Sequence, residues 1–526
     1  MRRLPVRSLF ALCCAATILA GCRRDPSAID AKPPTGEFGQ PGSGFVAQCS
    51  GWFPDWISAN PPPAGTAAFQ LAQGYPLGVP VFADVDGRTE VVRWDPFAPT
   101  NGPWSAHDFR VPAQRGAYLN ALRDYLLAGM VEVDFVAQRN RTRRWYHVPM
   151  MTSDPISRRE PYRGLTKERP LNANDHDWIV PGNTLQSFAI GYYNNIGGYT
   201  IGKVFGDPDP SLSDPAQAQF IDGALVFKLL FAEFDPAKIV AAQYPLDGAP
   251  QWQVQDPQAP AAALKNVRLI QIDVAVKDPR ATQTGWVFAT FVYDESLTAT
   301  EPVAWRRLAP VGLQWGNDPD VTANGVGTLD ETWIAPGLPA AFHNQLGRHG
   351  RRNGPVDNPL SSCLSCHSTA QVSPGATPLR AFRGVRLIPP AGCSDAQDMA
   401  WFRNLPGSQT FGLMGPGGDG CALNPAQPAA LVSTDYSLQL ADALEASLFF
   451  DNPNPCMATA MAMRKAAQAK RAAPAAAEED TARGAEPVER EIAPVSGRVK
   501  LDPKSMRALR TRGKDATEGG ADAHRR

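Results

Sequence analysis

The residues best placed to do chemistry are five in a row, Cys363-Leu364-Ser365-Cys366-His367. Two thiols three positions apart, followed at once by an imidazole, let both sulfurs add to the vinyl groups of one haem while the imidazole reaches the iron. Chance does not account for the pentapeptide. The chain has 526 residues with 9 Cys and 7 His, and independent placement gives roughly 0.002 such motifs. A zinc site would want a second ligand pair, but no other C-x-x-C or H-x3–5-H follows, and His343 and His349 lie upstream. A redox dithiol would open a helix after a strand, whereas residues 351–359, Arg-Arg-Asn-Gly-Pro-Val-Asp-Asn-Pro, read as a loop.

The expected cofactor is therefore one covalent haem c, attached at Cys363 and Cys366 with His367 as the proximal iron ligand. The sixth ligand matters because a sulfur raises the reduction potential and a second imidazole lowers it. Met414, in the flexible run Phe411-Gly412-Leu413-Met414-Gly415-Pro416-Gly417-Gly418, is the first candidate, and Met399, beside Trp401 and Phe402, is the second. His343, His349 or an open position complete the choices. Arg348, Arg351 and Arg352 precede the motif and are read as partners for haem propionates, as a dock for an acidic redox partner, or as a solvated loop. His147, in Trp145-Tyr146-His147-Val148-Pro149-Met150-Met151, and His176, in Asp175-His176-Asp177-Trp178, lack a third ligand and read as ordinary hydrogen-bonded histidines.

The overall balance of 51 Lys+Arg against 52 Asp+Glu gives a net charge of −1, which provides no field for capturing nucleic acid. With 43% hydrophobic residues, 50 Pro and 45 Gly, the chain is globular and rich in turns, neither a coiled coil nor a multi-span membrane protein. Residues 1–22 combine Arg2, Arg3 and Arg7, an apolar run over 9–20, and Leu19-Ala20-Gly21-Cys22. They resemble a bacterial lipoprotein signal, which implies cleavage before Cys22 and a diacylglycerol thioether on its sulfur. Arg23, where inner-membrane members of that class often carry Asp, points by the same resemblance to a periplasmic, lipid-anchored protein of the outer membrane. Residues 23–44, rich in Pro and Gly, then read as a flexible tether. Cys13 and Cys14 leave with the signal, so four further cysteines remain in an oxidising compartment; the preferred pairs are Cys393 with Cys421 and Cys49 with Cys456.

Residues 45–335 carry β signals. Ile270, Ile272, Val274 and Val276 alternate with Gln271, Asp273, Ala275 and Lys277, the pattern of a strand with one buried face. Residues 186–193, 224–231 and 286–293 are apolar on both faces, and Asn194-Asn195-Ile196-Gly197-Gly198 reads as a turn between strands. Together these predict a β-sandwich. One helix is expected through Tyr118, Leu119, Leu122, Tyr125 and Leu126, ended by Gly129 before strand-like residues 131–135. Residues 336–456 hold the haem motif and end in a helix with Leu440, Leu444 and Leu448 on one stripe and Thr434 or Asp435 as its N-cap. Residues 457–526 turn to Ala, Arg, Lys, Glu and Gly and read as a disordered tail.

The motif, with Ser361 to Ala370, Trp401-Phe402-Arg403-Asn404, Asp435-Tyr436-Ser437-Leu438-Gln439-Leu440, and the strands around Phe227-Lys228-Leu229-Leu230-Phe231 and Gly285-Trp286-Val287-Phe288-Ala289-Thr290-Phe291, resembles bacterial cytochrome c family lipoproteins with a large N-terminal region. The resemblance implies haem, periplasm and a small α-helical cytochrome c-like domain after the β-rich one; it brings no substrate. The leading expectation is a membrane-tethered monohaem cytochrome that relays single electrons to a redox partner protein. The alternatives are an oxidoreductase whose β-rich domain oxidises a substrate and reduces the haem, and a haem-based sensor of a small ligand.

Overall fold

Alternate side chains of the strand Leu225–Glu233 enter different cores. Leu225, Phe227, Leu229 and Phe231 join one apolar cluster, while Val226 packs on a second and Leu230 and Ala232 lie in a third. Strands of this kind are covered on both faces. The computed structural model describes residues 69, 72, 75, 82–85, 88–91, 102–149, 159–160, 162–205, 214–256, 263–322, 327–343, 346–372, 387–412, 420–423 and 431–447. All lie in Met1–Gln468, one of two units into which the chain divides; the other, Ala469–Arg526, is outside the described residues.

In chain order the elements are the hairpin β1 (Phe82–Val85) and β2 (Arg88–Val91), helix α1 (Arg115–Leu127), strands β3 (Thr166–Lys167), β4 (Leu171–Asn172), β5 (Thr184–Leu185) and β6 (Ser187–Tyr193), and helix α2 (Asn195–Val204). Then come β7 (Leu225–Glu233), β8 (Gln251–Val254), β9 (Lys265–Lys277), β10 (Trp286–Tyr293), β11 (Leu308–Gln314) and β12 (Thr332–Ile334). The C-terminal part adds α3 (Cys363–His367), β13 (Gln371–Val372), α4 (Asp395–Asp398), β14 (Val432–Ser433) and α5 (Leu438–Ser447). Eight strands make one antiparallel sheet in the order β12-β11-β10-β9-β7-β6-β3, with β8 also on β9.

The β-rich expectation holds, but the described strands form one large sheet with three two-stranded pairs, not two stacked sheets. The runs that are apolar on both sides arise because non-strand segments cover each face. On one side Tyr118, Leu119 and Leu122 of α1 meet Phe227, Val274 and Val287. On the other, Leu364, Val372, Tyr436, Leu440 and Leu444 from beyond residue 335 share a core with Ala275, Trp286 and Phe288. For the same reason β9 is not half solvated: Gln271 is fully buried.

Three local readings change. Residues 194–198 open α2, where the Asn194 side chain accepts from Gly197 N as an N-cap and Ile196, Ile201 and Val204 bury one stripe. Residues 131–135 form a 3-10 turn ending in left-handed Asp134 and Phe135 instead of a strand. The cap of α5 is Ser437, whose Oγ accepts from Leu440 N at 3.1 Å; neither Thr434 nor Asp435 does this.

The segment before α3 is irregular but buried, so the solvated-loop reading fails for two of its arginines. Arg351 and Arg352 are 0% exposed. Arg351 donates to the carbonyls of Asn317 at 2.6 Å, Asp318 at 2.6 Å and Val321 at 2.8 Å, and its guanidinium lies 4.4 Å from the Phe402 ring centroid. Arg348 instead pairs with Asp395 and Asp398. Cys393 and Cys421 form a disulfide. Replacing Arg351 by Leu keeps bulk but strands three buried carbonyls, so urea unfolding should show a loss of about 3 kcal/mol.

Candidate functional site

Helix α3 is too short to hold itself by propensity, and its ends are fixed by specific bonds. Ser362 Oγ accepts from Ser365 N at 3.1 Å and Ser365 Oγ accepts from Ser362 N at 2.8 Å, a reciprocal N-terminal cap. The end of β11 meets the same turn, where Leu364 N donates to Gln314 Oε1 at 3.2 Å. Behind α3, β13 pairs with β14, placing Val372 opposite Val432. Residues 431–437 are thereby drawn beside the motif.

Cys363, Cys366 and His367 all line one cavity of about 510 Å³. Neither thiol is in a disulfide. Its apolar walls come from Tyr193, Phe220, Val226, Ala275, Trp286, Phe288 and Tyr436. The volume falls within the usual range of small-molecule and cofactor pockets, about 300–1,000 Å³. His367 Nδ1 lies 2.8 Å from the carbonyl oxygen of Tyr436. A carbonyl only accepts, so Nδ1 carries the hydrogen, and in the neutral ring Nε2 carries the lone pair. The ring also sits 4.9 Å from Phe288, centroid to centroid.

One row of the sheet makes the cavity polar at one end. Lys228 stands opposite Asp273 on neighbouring strands, and Thr290 opposite Asp273 on the other side. The next row is apolar: Val226 opposite Ala275, and Ala275 opposite Phe288. Lys228 bonds Glu168 at 2.9 Å, Thr290 Oγ1 donates to Asp273, and the buried Arg352 reaches Thr290 Oγ1. Asp357 completes the group, accepting from Gly354 N at 2.8 Å and lying 3.9 Å from Cys363 Sγ. Asp273 and Asp357 both line the cavity and are half-buried. Burial raises both carboxyls, Asp357 to about 7, with Asp273 pushing it further, against the pull of Gly354 N, Arg352 and Lys228. Burial alone would lower the Lys228 ammonium, but Glu168, Asp273 and Asp357 outweigh it and hold it up. Burial also pushes the Cys363 thiol well above its ordinary range.

Comparison with family models, with curated proteins and with solved structures found no match. The site therefore has to be read from its own geometry.

The structure brings Cys363, Cys366 and His367 together and leaves other candidates elsewhere. Met399 packs against Trp401, Phe402, Leu405 and Phe411 and does not line the cavity. His343 Nε2 contacts the Leu338 carbonyl, and His349 sits on the turn of residues 348–350. Met414, Cys22, Cys49 and Cys456 lie outside the described residues. His147 is buried, with Nδ1 2.9 Å from Gly191 O, and desolvation drops its pKa to about 3. Desolvation lowers His176 to about 4, its ring lies 5.1 Å from Trp178, and Asp175 is engaged by Arg169 and Asn172. Among the described residues no group of three His, Cys, Asp or Glu side chains is placed to hold a metal ion.

Lys228, Asp273, Asp357 and Tyr436 were not singled out as site residues by sequence. A signal existed for one of them: Lys228 is a lone charge inside the otherwise apolar run of residues 224–232. Burial and the neighbouring Asp273 raise Asp357 to about 7 in the folded chain, against about 4 when unfolded, so folding takes up a proton between these values. Its contribution to stability is thus full below about pH 4 and is lost as pH rises to about 7. The variant Asp357→Asn should therefore show a flatter fall of urea midpoint from pH 4 to pH 7 than the parent chain.

Proposed function

We propose that this chain is an extracytoplasmic, lipid-tethered electron carrier whose cavity holds one covalent haem c. The observation that carries the reading is that both thiols and the imidazole of the pentapeptide line the same aromatic-walled cavity, with the imidazole Nδ1 committed to Tyr436 O. Cys363 and Cys366 would hold the porphyrin by thioethers and His367 Nε2 would ligate the iron. Haem, when bound, supplies a one-electron Fe(II)/Fe(III) couple.

The protein's share is to hold, orient and desolvate. Trp286, Phe288, Val226 and Phe220 exclude water from the cavity and lower its dielectric, which keeps reorganisation small when a single electron passes. The Tyr436 carbonyl fixes the imidazole tautomer and ring plane, as outer-shell partners of ligating histidines do. Residues 336–456 are the haem-bearing part in the manner of a small cytochrome c domain, with the β-sheet supplying the wall opposite α3. Export by the signal at residues 1–22, lipidation at Cys22, an outer-membrane location in the periplasm and delivery of electrons to a redox partner protein complete the proposal. An oxidoreductase is the second reading, supported by the charged row of Lys228, Asp273 and Asp357 in the same cavity.

The test is maturation in a host with working c-type haem attachment. The parent protein should gain one porphyrin mass, a Soret band and a pyridine haemochrome that survives denaturation. The double variant Cys363→Ala/Cys366→Ala should lose the covalent increment completely. A parent chain with no porphyrin mass and no Soret absorption overturns the proposal. Reduction of the haem by an added organic substrate, without any protein donor, would move the assignment to the oxidoreductase.

A further inference from the structure

We infer that Asp435 is a positioning residue for the His367 imidazole, acting through the backbone turn that presents the Tyr436 carbonyl. The inference rests on the reading of His367 as an iron ligand.

Residues 435 and 436 both have left-handed backbone, with φ of 49° and 66°. Two consecutive residues of this kind are uncommon outside glycine, and a bulky aromatic at the second is less favourable still. Such a turn persists only where its surroundings impose it. The imposition is visible at both residues. Asp435, 0% exposed, accepts from Lys277 Nζ at 2.7 and 2.9 Å, from Trp286 Nε1 at 2.7 Å and from Phe220 N at 2.8 Å. Tyr436 donates its hydroxyl to Leu405 O at 2.8 Å. Gly407 leaves no room for a Cβ beside the Asp435 carboxylate, and its carbonyl accepts from Ser433 Oγ at 2.7 Å.

The three donors to Asp435 come from β9, from the start of β10 and from the segment before β7. The carboxylate therefore pins the turn to the sheet, and the turn in turn sets where the Tyr436 carbonyl stands against His367 Nδ1, 2.8 Å away. Holding that N–H on a fixed acceptor locks the tautomer and makes the ring a better electron donor through Nε2. Loss of the pin frees the carbonyl to move and weakens that donation.

The experiment compares the parent chain with Asp435→Asn and Lys277→Met, each with and without haem. In haem-free protein labelled with 15N-histidine, the parent should show His367 as the Nδ1–H tautomer above the titration of the ring. Asp435→Asn should show a mixture of tautomers, and Lys277→Met a smaller change in the same direction. In haem-loaded protein, the reduction potential should rise in both variants, more in Asp435→Asn, with covalent haem content unchanged. A folded Asp435→Asn chain with the parent's tautomer and potential overturns the inference. If that variant does not fold, Lys277→Met decides: parent values there overturn it as well. If the parent takes up no haem, the proposed function fails, and the tautomer comparison still tests the role of Asp435.

Discussion

The sheet formed by β6, β7, β9 and β10 cannot leave either face in water. Phe227, Leu229, Val274 and Val287 need cover on one side, and Val226, Ala275, Trp286 and Phe288 need it on the other. Helix α1 and its aromatic neighbours close the first face. The second is closed by the residues that follow 335, which bring the two thiols and the imidazole with them. The hydrophobic requirement of the strands thus delivers the chemically active motif to the sheet surface.

Covering a face with an irregular segment leaves polar backbone to satisfy, and buried arginines do much of this. Arg351 satisfies three carbonyls of the 317–321 segment. Arg352, behind the cavity, balances the carboxylates of Asp273 and Asp357. Between the apolar row at Phe288 and the charged row at Asp273 the cavity changes character within two residues along a strand. The thiols and imidazole of α3 thus face an aromatic flank at Trp286 and Phe288 and a charged flank at Lys228, Asp273 and Asp357.

Much of this was legible because periodicity and spacing are local. The pentapeptide, the strands β6, β7 and β10, helix α1 and the stripe of Leu440 and Leu444 follow from residue order alone. The single sheet was not, since a strand apolar on both sides looks the same whether a second sheet or a long excursion covers it. Asp273 read as solvent-facing because alternation in β9 mimics a half-exposed strand; it accepts from Thr290 Oγ1 and Gln271 Nε2, and the cations that act on it, Arg352 and Lys228, are distant in sequence. The left-handed pair Asp435 and Tyr436 carries no glycine to announce it, and the bond that it offers to His367 spans 69 residues.

That separation has a consequence for biosynthesis. During synthesis residues 363–367 emerge before β14 and before the turn at residues 435 and 436 that lies against His367. In the finished fold Cys363 is 7% exposed and burial pushes its thiol well above the ordinary range, which makes the sulfur a poor target for a reagent from solution. Any modification of these sulfurs would therefore compete with the pairing of β13 and β14 for the same stretch of polypeptide.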